Sequence, residues 1–401
     1  MSIVIPEDIM SSFGINSPFT SEMHNEIFKQ IRYGQKRNNK LILDIIPKVN
    51  IEKKDNTKKE YKYIGDLIAF DNLQRFGDFT LNKLKGRGAQ GSVYTINEDN
   101  NSVLKILLAE TEKEVIEIFI ECIIQVLCHE TLKGLEDFHY SKVGKIRGFY
   151  KYENIRNDDD EPYISHWVVG ILMEPHETTL YNYVKNTALK NNPNELSVVN
   201  CMSLYQIINA HKYLASTIKF NHNDMKIDNI MLNKTNFQNS NGIDCFQTYL
   251  IDFGNSYIEY NGYKFSTLYS NYNPIKDIIF FIFYILQGDN CGQSILQDKC
   301  TQYIDPNLYD FLTSLLISSS PKINDFYTGN KYSKTNPWIE IHRQVEEFVT
   351  DTNYSFELHN QIIEFTKNYL RNLARGEEYS PPFYFGRSKR SKKNKKNLKK
   401  I

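Results

Sequence analysis

Long hydrophobic runs are absent from this chain of 401 residues. The strongest run, Ile278 to Leu286, has nine residues, whereas a helix needs about 20 apolar residues to cross a membrane. We therefore predict no membrane span and interpret this run as a buried helix. The first residues, MSIVIPEDIMSSFG, lack a basic start followed by an apolar stretch, so no signal peptide is expected there.

Closely spaced cysteine pairs are also absent. The six cysteines show neither CxxC pairs nor the spacing of metal ligands. This pattern excludes a disulfide-rich or zinc-ribbon class and is typical of reduced thiols in an intracellular protein, cytoplasmic or nuclear. The apolar fraction of 41% and the aromatic fraction of 13% provide enough apolar surface for a sizeable core, which excludes a wholly disordered chain.

A net charge of zero conceals a strong asymmetry along the chain. Residues 387–401 contain nine Lys or Arg and no acid, so the remainder has a net charge of −9. The basic tail, 387–400, could contact nucleic acid or an anionic surface, act as a nuclear-import signal, or be a solvated disordered end. No aromatic side chain lies among its charges, so base stacking by the tail is not expected.

Strand patterns come first along the chain and helical patterns later. Alternating runs predict a hairpin within Phe79–Leu108, and three- and four-residue apolar spacing predicts a helix from Glu112 to His129. Strand-like runs follow at Gly144–Tyr152 and Ile164–Met173. From Asn200 onward the chain reads as mainly helical, with strands near Ile230 and Tyr249. This order predicts an α+β protein with a sheet-rich lobe beside a helical lobe.

A glycine-rich turn interrupts the first predicted hairpin. Gly86, Gly88 and Gly91 form GRGAQG, and Val93 follows two residues later. Glycines allow backbone N–H groups to approach phosphate oxygens closely. A dinucleotide-binding turn would need a helix directly after the glycines. Because a strand, SVYTI, follows instead, the pattern favours a hairpin that covers a nucleotide.

Lys105 lies in the second strand of this hairpin, within VLKIL. Its apolar neighbours indicate a buried strand, and a buried ammonium group needs an anionic partner. ATP phosphates could supply one partner and a glutamate of the following helix another. Glu121 is the first candidate, with Glu117 and Glu114 as alternatives that the sequence leaves open.

A second constellation follows in the helical half. The segment HNDMKIDN contains His222, Asp224, Lys226 and Asn229, and an apolar strand further on ends in Asp252, the first residue of DFG. Phosphoryl transfer needs a carboxylate that takes the proton of the acceptor hydroxyl, for which Asp224 is suited. Asn229 and Asp252 provide the oxygen ligands that Mg²⁺ prefers. Lys226 could stabilise charge near the γ-phosphate.

These motifs together resemble the protein-kinase superfamily over roughly Phe79 to Leu316. GRGAQGSV is similar to its glycine-rich loop, VLKI to its ATP-binding lysine strand, HNDMKIDN to its catalytic loop and DFG to its metal-binding turn. The lysine two residues after the catalytic aspartate resembles serine/threonine kinases. The resemblance implies an ATP- and Mg²⁺-dependent enzyme that phosphorylates a protein substrate.

The resemblance also implies a bilobal fold. A small antiparallel β-rich lobe is expected over about 76–173 and a larger, mainly helical lobe over about 177–375, with an N-terminal extension at 1–75 and the tail at 376–401. Asp277 resembles the acid that opens the central buried helix and braces the catalytic loop. Met173 resembles the gatekeeper, and the backbone from Glu174 to His176 is expected to face adenine. The nucleotide-binding set is therefore Gly86, Arg87, Gly88, Ala89, Gln90, Gly91, Val93, Lys105, Glu121, Met173, Glu174 and His176.

Several positions depart from the family pattern. Asn223 replaces the arginine that normally receives an activation-loop phosphate, and Val103 replaces a small alanine beside adenine. Only 25 positions separate Asp252 from Asp277, without an APE triplet, so peptide recognition is expected to be unconventional. The segment Asn233–Gln247 reads as a longer loop than is typical.

Two other functions stay open at the level of the sequence. One is a kinase-fold phosphotransferase that acts on a small molecule or lipid, and the other is a nucleotide-binding pseudokinase scaffold. The Asn-, Ile- and Lys-rich composition and compact loops resemble kinases carried by large DNA viruses, which would place the protein in a virion or an infected cell; a protist origin is the alternative.

Overall fold

The computed structural model describes residues 43, 46–53, 73–88, 91–135, 138–154, 166–189, 193–238, 244–260, 263–266, 272–287, 306–319 and 356–375. Most of the predicted N-terminal extension and the whole basic tail lie outside the described residues. The strands are β1 (Ile51–Lys53), β2 (Leu73–Phe76), β3 (Phe79–Gly88), β4 (Gly91–Ile96), β5 (Val103–Ala109), β6 (Lys142–Val143), β7 (Ile146–Asn154), β8 (His166–Met173), β9 (Thr178–Thr179), β10 (Ile230–Gln238), β11 (Asp244–Leu250), β12 (Tyr257–Tyr260) and β13 (Tyr263–Ser266). The helices are α1 (Glu112–Leu132), α2 (Leu180–Leu189), α3 (Pro193–Ile218), α4 (Pro274–Gln287), α5 (Pro306–Ser319) and α6 (Glu357–Arg375).

The largest sheet in the described part of the chain has seven strands in the order β1-β2-β3-β4-β5-β8-β7, and every neighbouring pair is antiparallel. This confirms the predicted antiparallel sheet and its hairpin. β1 and β2 come largely from the predicted extension, and they add two strands to the edge of the sheet. Gly77, at φ +60°, supplies the left-handed turn between β2 and β3.

Helix α1 packs against one face of this sheet. The Thr111 hydroxyl caps its first turn by accepting from the Glu114 N–H. Apolar side chains on several sides of α1 are buried, among them Phe119 and Ile123. The predicted helix is confirmed, and it continues three residues beyond His129, to Leu132. Because α1 is buried on several sides, its position relative to β5 is fixed.

The second half of the described chain is built around α3 and α4. The predicted buried run is helix α4, in which Ile278–Ile282 are buried. α6 packs along α3 through Ile362, Phe365 and Tyr369. A four-stranded sheet in the order β6-β11-β10-β9 lies beside α3.

One expectation for this half was wrong. The segment Asn233–Gln247, expected as a long loop, continues the hairpin instead: β10 extends to Gln238 and β11 begins at Asp244. The strand pair β12–β13 was not predicted. The added part of β10, NKTNFQ, is mostly polar, and β12 and β13 have only four residues each, so local strand propensity signals both poorly.

The described chain is thus a mixed α/β protein with an antiparallel sheet and several helices. Among the helices that the structure describes, none combines the length and apolarity that a membrane crossing requires.

Candidate active site

The glycine-rich hairpin is formed by β3 and β4. Gly88 pairs with Gly91, and Ala89 and Gln90, also predicted at this site, lie outside the described residues. A Cβ on Gly91 would come within 2.2 Å of the backbone oxygen of Ile106, so only glycine allows this approach of β4 to β5. A Cβ on Gly86 would meet nothing within 4 Å. Packing therefore explains Gly91 and leaves Gly86 beside open space.

A row of cross-strand partners runs over the sheet from the glycines. Gly86 pairs with Val93, Val93 with Lys105, and Lys105 with Ile171. Directly paired residues point to the same face of a sheet. Lys105 therefore lies between Val93 and Ile171, on the face that α1 covers. Arg87, also predicted at this site, pairs with Ser92 and is exposed.

Glu121 of α1 is the partner of Lys105. The Lys105 Nζ lies 3.9 Å from Glu121 Oε1, and the two side chains are 24% and 11% exposed. The alternatives that the sequence left open have other partners. Glu117 pairs with Lys113 at 3.1 Å, and the Glu114 carboxylate accepts from the Glu110 N–H. The geometry thus selects Glu121.

Asp252 belongs to the same charge cluster. Burial by itself would lower the pKa of Lys105, but the carboxylates of Glu121 and Asp252 raise it above its ordinary value. Burial raises the pKa of Glu121, Lys105 opposes that shift, and Asp252 adds to it. A Cβ on Gly254 would lie 3.4 Å from Glu121 Oε2 and 3.7 Å from Asp252 Oδ1. Two carboxylates therefore share the space beside one ammonium group.

The backbone at Asp252 is strained. Its φ is +65°, in the left-handed region that non-glycine residues seldom adopt. The next residue, Phe253, is fully buried, and its ring centroid lies 5.2 Å from that of His222. Such strain persists only where the surroundings impose it, and it is concentrated at functional sites. The buried Phe253 ring anchors the backbone directly after Asp252.

Two polar residues of the predicted catalytic loop, Lys226 and Asn229, each contact Asp224. Lys226 Nζ lies 3.0 Å from Asp224 Oδ2. The Asn229 Nδ2 donates to the Asp224 backbone oxygen at 2.9 Å and to Asp224 Oδ2 at 3.0 Å. Because both acceptors engage the nitrogen of the amide, its oxygen Oδ1 is directed away from Asp224. The Asp224 side chain is 23% exposed, so it remains accessible from solvent.

One hairpin brings this loop beside Asp252. β10 begins directly after Asn229, β11 ends two residues before Asp252, and Ile230 pairs with Leu250. The Ile251 N–H donates to the Asn229 backbone oxygen at 3.0 Å, which extends the ladder by one more bond. Asn229 and Asp252 therefore lie at the same end of the β10–β11 hairpin.

Asp277 braces the loop from the first turn of α4, as the resemblance implied. Its carboxylate accepts from the backbone N–H groups of His222 at 2.6 Å and Asn223 at 2.8 Å. Asn223, at φ +60°, adopts the left-handed conformation that Asn tolerates, and its Nδ2 donates to the Asn255 backbone oxygen at 2.8 Å. Asn223 thus links the loop directly to the segment after DFG.

The predicted hinge follows the end of β8. Met173 is half-buried and pairs with Val103, two positions from the Lys105–Ile171 pair. The Glu174 N–H donates to the Lys145 backbone oxygen at 2.9 Å, and the His176 ring lies 4.3 Å from the Tyr249 ring. Ile171 resembles the first residue of the hinge run, but its position beside Lys105 was not predicted. That position follows from the register of β5 and β8, which motif spacing does not contain.

The segment between DFG and α4 contains the β12–β13 hairpin. Tyr257 forms a bridge with Asn221, at the start of the catalytic loop, through two backbone hydrogen bonds of 2.8 Å. Phe265 of β13 is fully buried, and β13 contacts α1. This hairpin therefore connects the catalytic loop to the helix that carries Glu121.

The residues of the site fit a magnesium ion with a small protein ligand set. Among the described residues, no group of three or more His, Cys, Asp and Glu side chains could hold a metal ion. Asn229 and Asp252 offer one amide oxygen and one carboxylate at the same hairpin end. Mg²⁺ is commonly bound through one or two carboxylates, with the other positions taken by phosphate oxygens and water.

Comparison with known proteins adds no assignment. No protein-family model matches the chain, and the search of curated proteins finds no similar sequence.

Proposed function

We propose that this chain is an ATP-dependent phosphotransferase with the bilobal protein-kinase fold, and that it transfers the γ-phosphate to a serine or threonine hydroxyl of a protein. The observation that carries the proposal is the convergence of two groups of residues. Lys105, Glu121 and Asp252 form one charge cluster. Asn229 lies with Asp252 at one end of the β10–β11 hairpin. Asn229 also contacts Asp224, which is paired with Lys226.

In this proposal the seven-stranded sheet and α1 are the small lobe, and the helices α2–α6 belong to the larger one. The two groups of residues come from different halves of the chain, since Lys105 and Glu121 belong to the first and Asp224 and Asn229 to the second. The nucleotide would lie between them. Gly86 beside open space supports a ligand above the sheet at this point.

The nucleotide phosphates would be held from two sides. Backbone N–H groups of the glycine-rich turn and the Lys105 ammonium group would neutralise and orient them, while Glu121 keeps Lys105 in position. Asn229 and Asp252 would hold Mg²⁺, which supplies charge neutralisation between phosphate oxygens. Adenine would lie against Val93, Val103 and the backbone that follows Met173.

Asp224 is the group suited to accept the proton of the acceptor. The hydroxyl oxygen attacks the γ-phosphorus, the bond from that phosphorus to the β–γ bridging oxygen breaks, and the hydroxyl proton passes to Asp224, with ADP as the leaving group. The 3.0 Å contacts from Lys226 and Asn229 fix the Asp224 carboxylate for this role. Lys226 would also stabilise the charge that develops on the transferred group.

A small-molecule or lipid acceptor is the second candidate, and one observation favours it. The segment between DFG and α4 is short, and part of it forms the β12–β13 hairpin, which packs against the catalytic loop and α1. Little chain is then left in this segment to dock a peptide. The nature of the acceptor is therefore tested separately from phosphoryl transfer itself.

The test offers [γ-³²P]ATP and Mg²⁺ with generic protein acceptors in one arm and a panel of hydroxylated metabolites and lipids in another. Asp224→Asn should lower transfer by at least roughly 100-fold while ATP still binds, because the base is lost and the pocket is kept. Transfer to protein supports the first candidate, and transfer only to small molecules supports the second. If the wild-type protein binds ATP without transferring phosphate in any arm, the enzyme proposal fails.

A further inference from the structure

A chain of three buried side chains leads from α6 to the loop that carries Asp224. The His359 Nε2 lies 3.0 Å from the His211 Nδ1, and the His211 Nε2 lies 3.0 Å from Asp277 Oδ2. All three residues are fully buried, and they come from three different helices, α6, α3 and α4. Asp277 in turn accepts the backbone N–H groups of His222 and Asn223, the two residues before Asp224.

The hydrogen-bond pattern assigns the proton between His211 and Asp277. Burial would raise the pKa of Asp277, but the His211 hydrogen bond holds it below its ordinary value, so Asp277 is a carboxylate. His211 must therefore donate from Nε2 to Asp277. In the second hydrogen bond, one of the two ring nitrogens, His211 Nδ1 and His359 Nε2, donates to the other, so the orientation of each ring depends on the other.

Docking of α6 does not require this polar chain. Ile362, Phe365 and Tyr369 already bury an apolar face of α6, and the Phe311 and Phe365 rings stack at 3.8 Å. Buried polar groups are costly unless they are fully hydrogen-bonded, and an apolar replacement of such groups is often neutral for stability. What the polar chain adds is direction, because each hydrogen bond fixes the orientation of the next group, down to the Asp277 carboxylate.

We propose that His211 and His359 are positioning residues for phosphoryl transfer, and that through Asp277 they fix the backbone that presents Asp224 to the acceptor hydroxyl. The inference rests on the proposed function. It assigns to α6, a helix remote in sequence from every predicted site residue, control over the geometry of the base. Small displacements of a catalytic group are enough to slow a reaction by one or two orders of magnitude.

Three variants separate the hydrogen bond from packing. His359→Phe keeps a planar ring between His211 and Phe356 but removes the nitrogen that bonds to His211, whereas His359→Gln keeps a hydrogen-bonding amide near the position of Nε2. Asn360→Ala is the matched control, because it removes the exposed Lys212 Nζ–Asn360 Oδ1 bond of 2.7 Å between the same two helices without touching the histidines. Should His359→Phe not fold, His359→Met removes the same nitrogen with a flexible apolar side chain.

We expect His359→Phe to lower kcat by roughly 10-fold or more, with the KM for ATP within about twofold of wild type. His359→Gln should recover most of that loss, and Asn360→Ala should match wild type. Equal kcat in His359→Phe and wild type would overturn the inference. So would equal losses in His359→Phe and His359→Gln, because they would show a requirement for the imidazole ring and not for a hydrogen bond to His211.

Hydrogen exchange measures the same connection independently of enzymatic activity. The backbone N–H groups of His222 and Asn223 should exchange faster in His359→Phe than in wild type or Asn360→Ala, since Asp277 would hold them less firmly. Unchanged exchange at these two amides contradicts the inference. If the variant exchanges faster but the wild-type protein transfers no phosphate, the connection from His359 to the loop is supported and the proposed function fails.

Discussion

The Lys105 ammonium group lies 3.9 Å from the Glu121 carboxylate, across the interface between β5 and α1. The pair is loose for a buried salt bridge, and about a quarter of the Lys105 side chain remains exposed. Asp252 acts on both partners electrostatically. Under the proposed function, this partly exposed ammonium group, with two carboxylates beside it, would bind a further anion, the ATP phosphates.

Removal of the Glu121 charge should impair the use of ATP. Glu121→Gln preserves the shape of the side chain but leaves Lys105 without its nearest carboxylate, so we expect kcat/KM for ATP to fall by roughly 10-fold or more. Steady-state kinetics with varied ATP measures this effect. Glu117→Gln is the matched control, since it removes the exposed Lys113–Glu117 pair of the same helix and should leave kcat/KM unchanged. Equal effects of the two variants would contradict the role of Glu121.

Substitution by alanine should have different effects at Gly91 and at Gly86 of the glycine-rich hairpin. Gly91→Ala forces a Cβ to within 2.2 Å of the Ile106 backbone oxygen, so the free energy of unfolding should fall by about 1–3 kcal/mol. Gly86→Ala meets no neighbour and should change that free energy by less than about 0.5 kcal/mol. Denaturant unfolding measures both, and nucleotide titration should show weaker binding in Gly86→Ala. A Gly86→Ala protein with unchanged nucleotide affinity would argue against a ligand at this point.

Activity should not depend on phosphorylation of the segment after DFG. Asn223 stands where protein kinases, which the chain resembles in its motifs, have an arginine that binds such a phosphate, and its side chain already contacts the Asn255 backbone oxygen at 2.8 Å. Protein from bacteria, treated with phosphatase and checked by mass spectrometry, should therefore transfer phosphate at its full rate. If the treated protein were inactive and regained activity after phosphorylation between Asn255 and Asn273, this prediction would be wrong.

Acid should destabilise the protein through His359. Burial lowers the pKa of His359 from 6.5 to about 2, with His211 and Lys212 acting in the same direction, and Asp277 lies beyond His211. The unfolded chain takes up a proton near pH 6.5 that the folded chain does not, so stability is complete above that pH and declines as the pH falls from 6.5 towards 2.

The variant His359→Gln isolates this contribution. Between pH 7 and pH 5 the wild type should lose about 2 kcal/mol more of its free energy of unfolding than His359→Gln does. Denaturant unfolding at the two pH values measures the difference. Equal losses in the two proteins would show that the pKa of His359 does not differ between the folded and unfolded states.

Much of the fold was predictable because its signals are local. The glycine turn, the alternating strands β4 and β5, the helix α1 and the buried helix α4 are each encoded within a short window of sequence. The pairing β12–β13 was not, since its few polar and aromatic residues acquire their arrangement from contacts with Asn221 and α1.

The candidate site divides in the same way. Motif spacing predicted Lys105, Asp224, Asn229 and Asp252 as site residues. In the structure, Asp252 belongs to the charge cluster of Lys105, Asn229 contacts Asp224, and Asn229 and Asp252 share one hairpin end. The choice of Glu121 over Glu117 needed the position of α1 on the sheet, and Ile171 needed the register of β5 and β8. His211 and His359 are separated by 148 residues, and no sequence pattern connects them.

Labelling by an acyl phosphate of ATP tests the central claim most directly, because the reagent acylates lysines that lie beside the bound phosphates. Mass spectrometry of the Mg²⁺-loaded reaction should find Lys105 modified, with Lys226 as the second site, and excess ATP should prevent both modifications. Lys113, exposed on α1, is the internal control and should react independently of ATP. Labelling of Lys105 that ATP does not reduce, or ATP-protected labelling confined to other lysines, would contradict a nucleotide site between the glycine hairpin and Asp224.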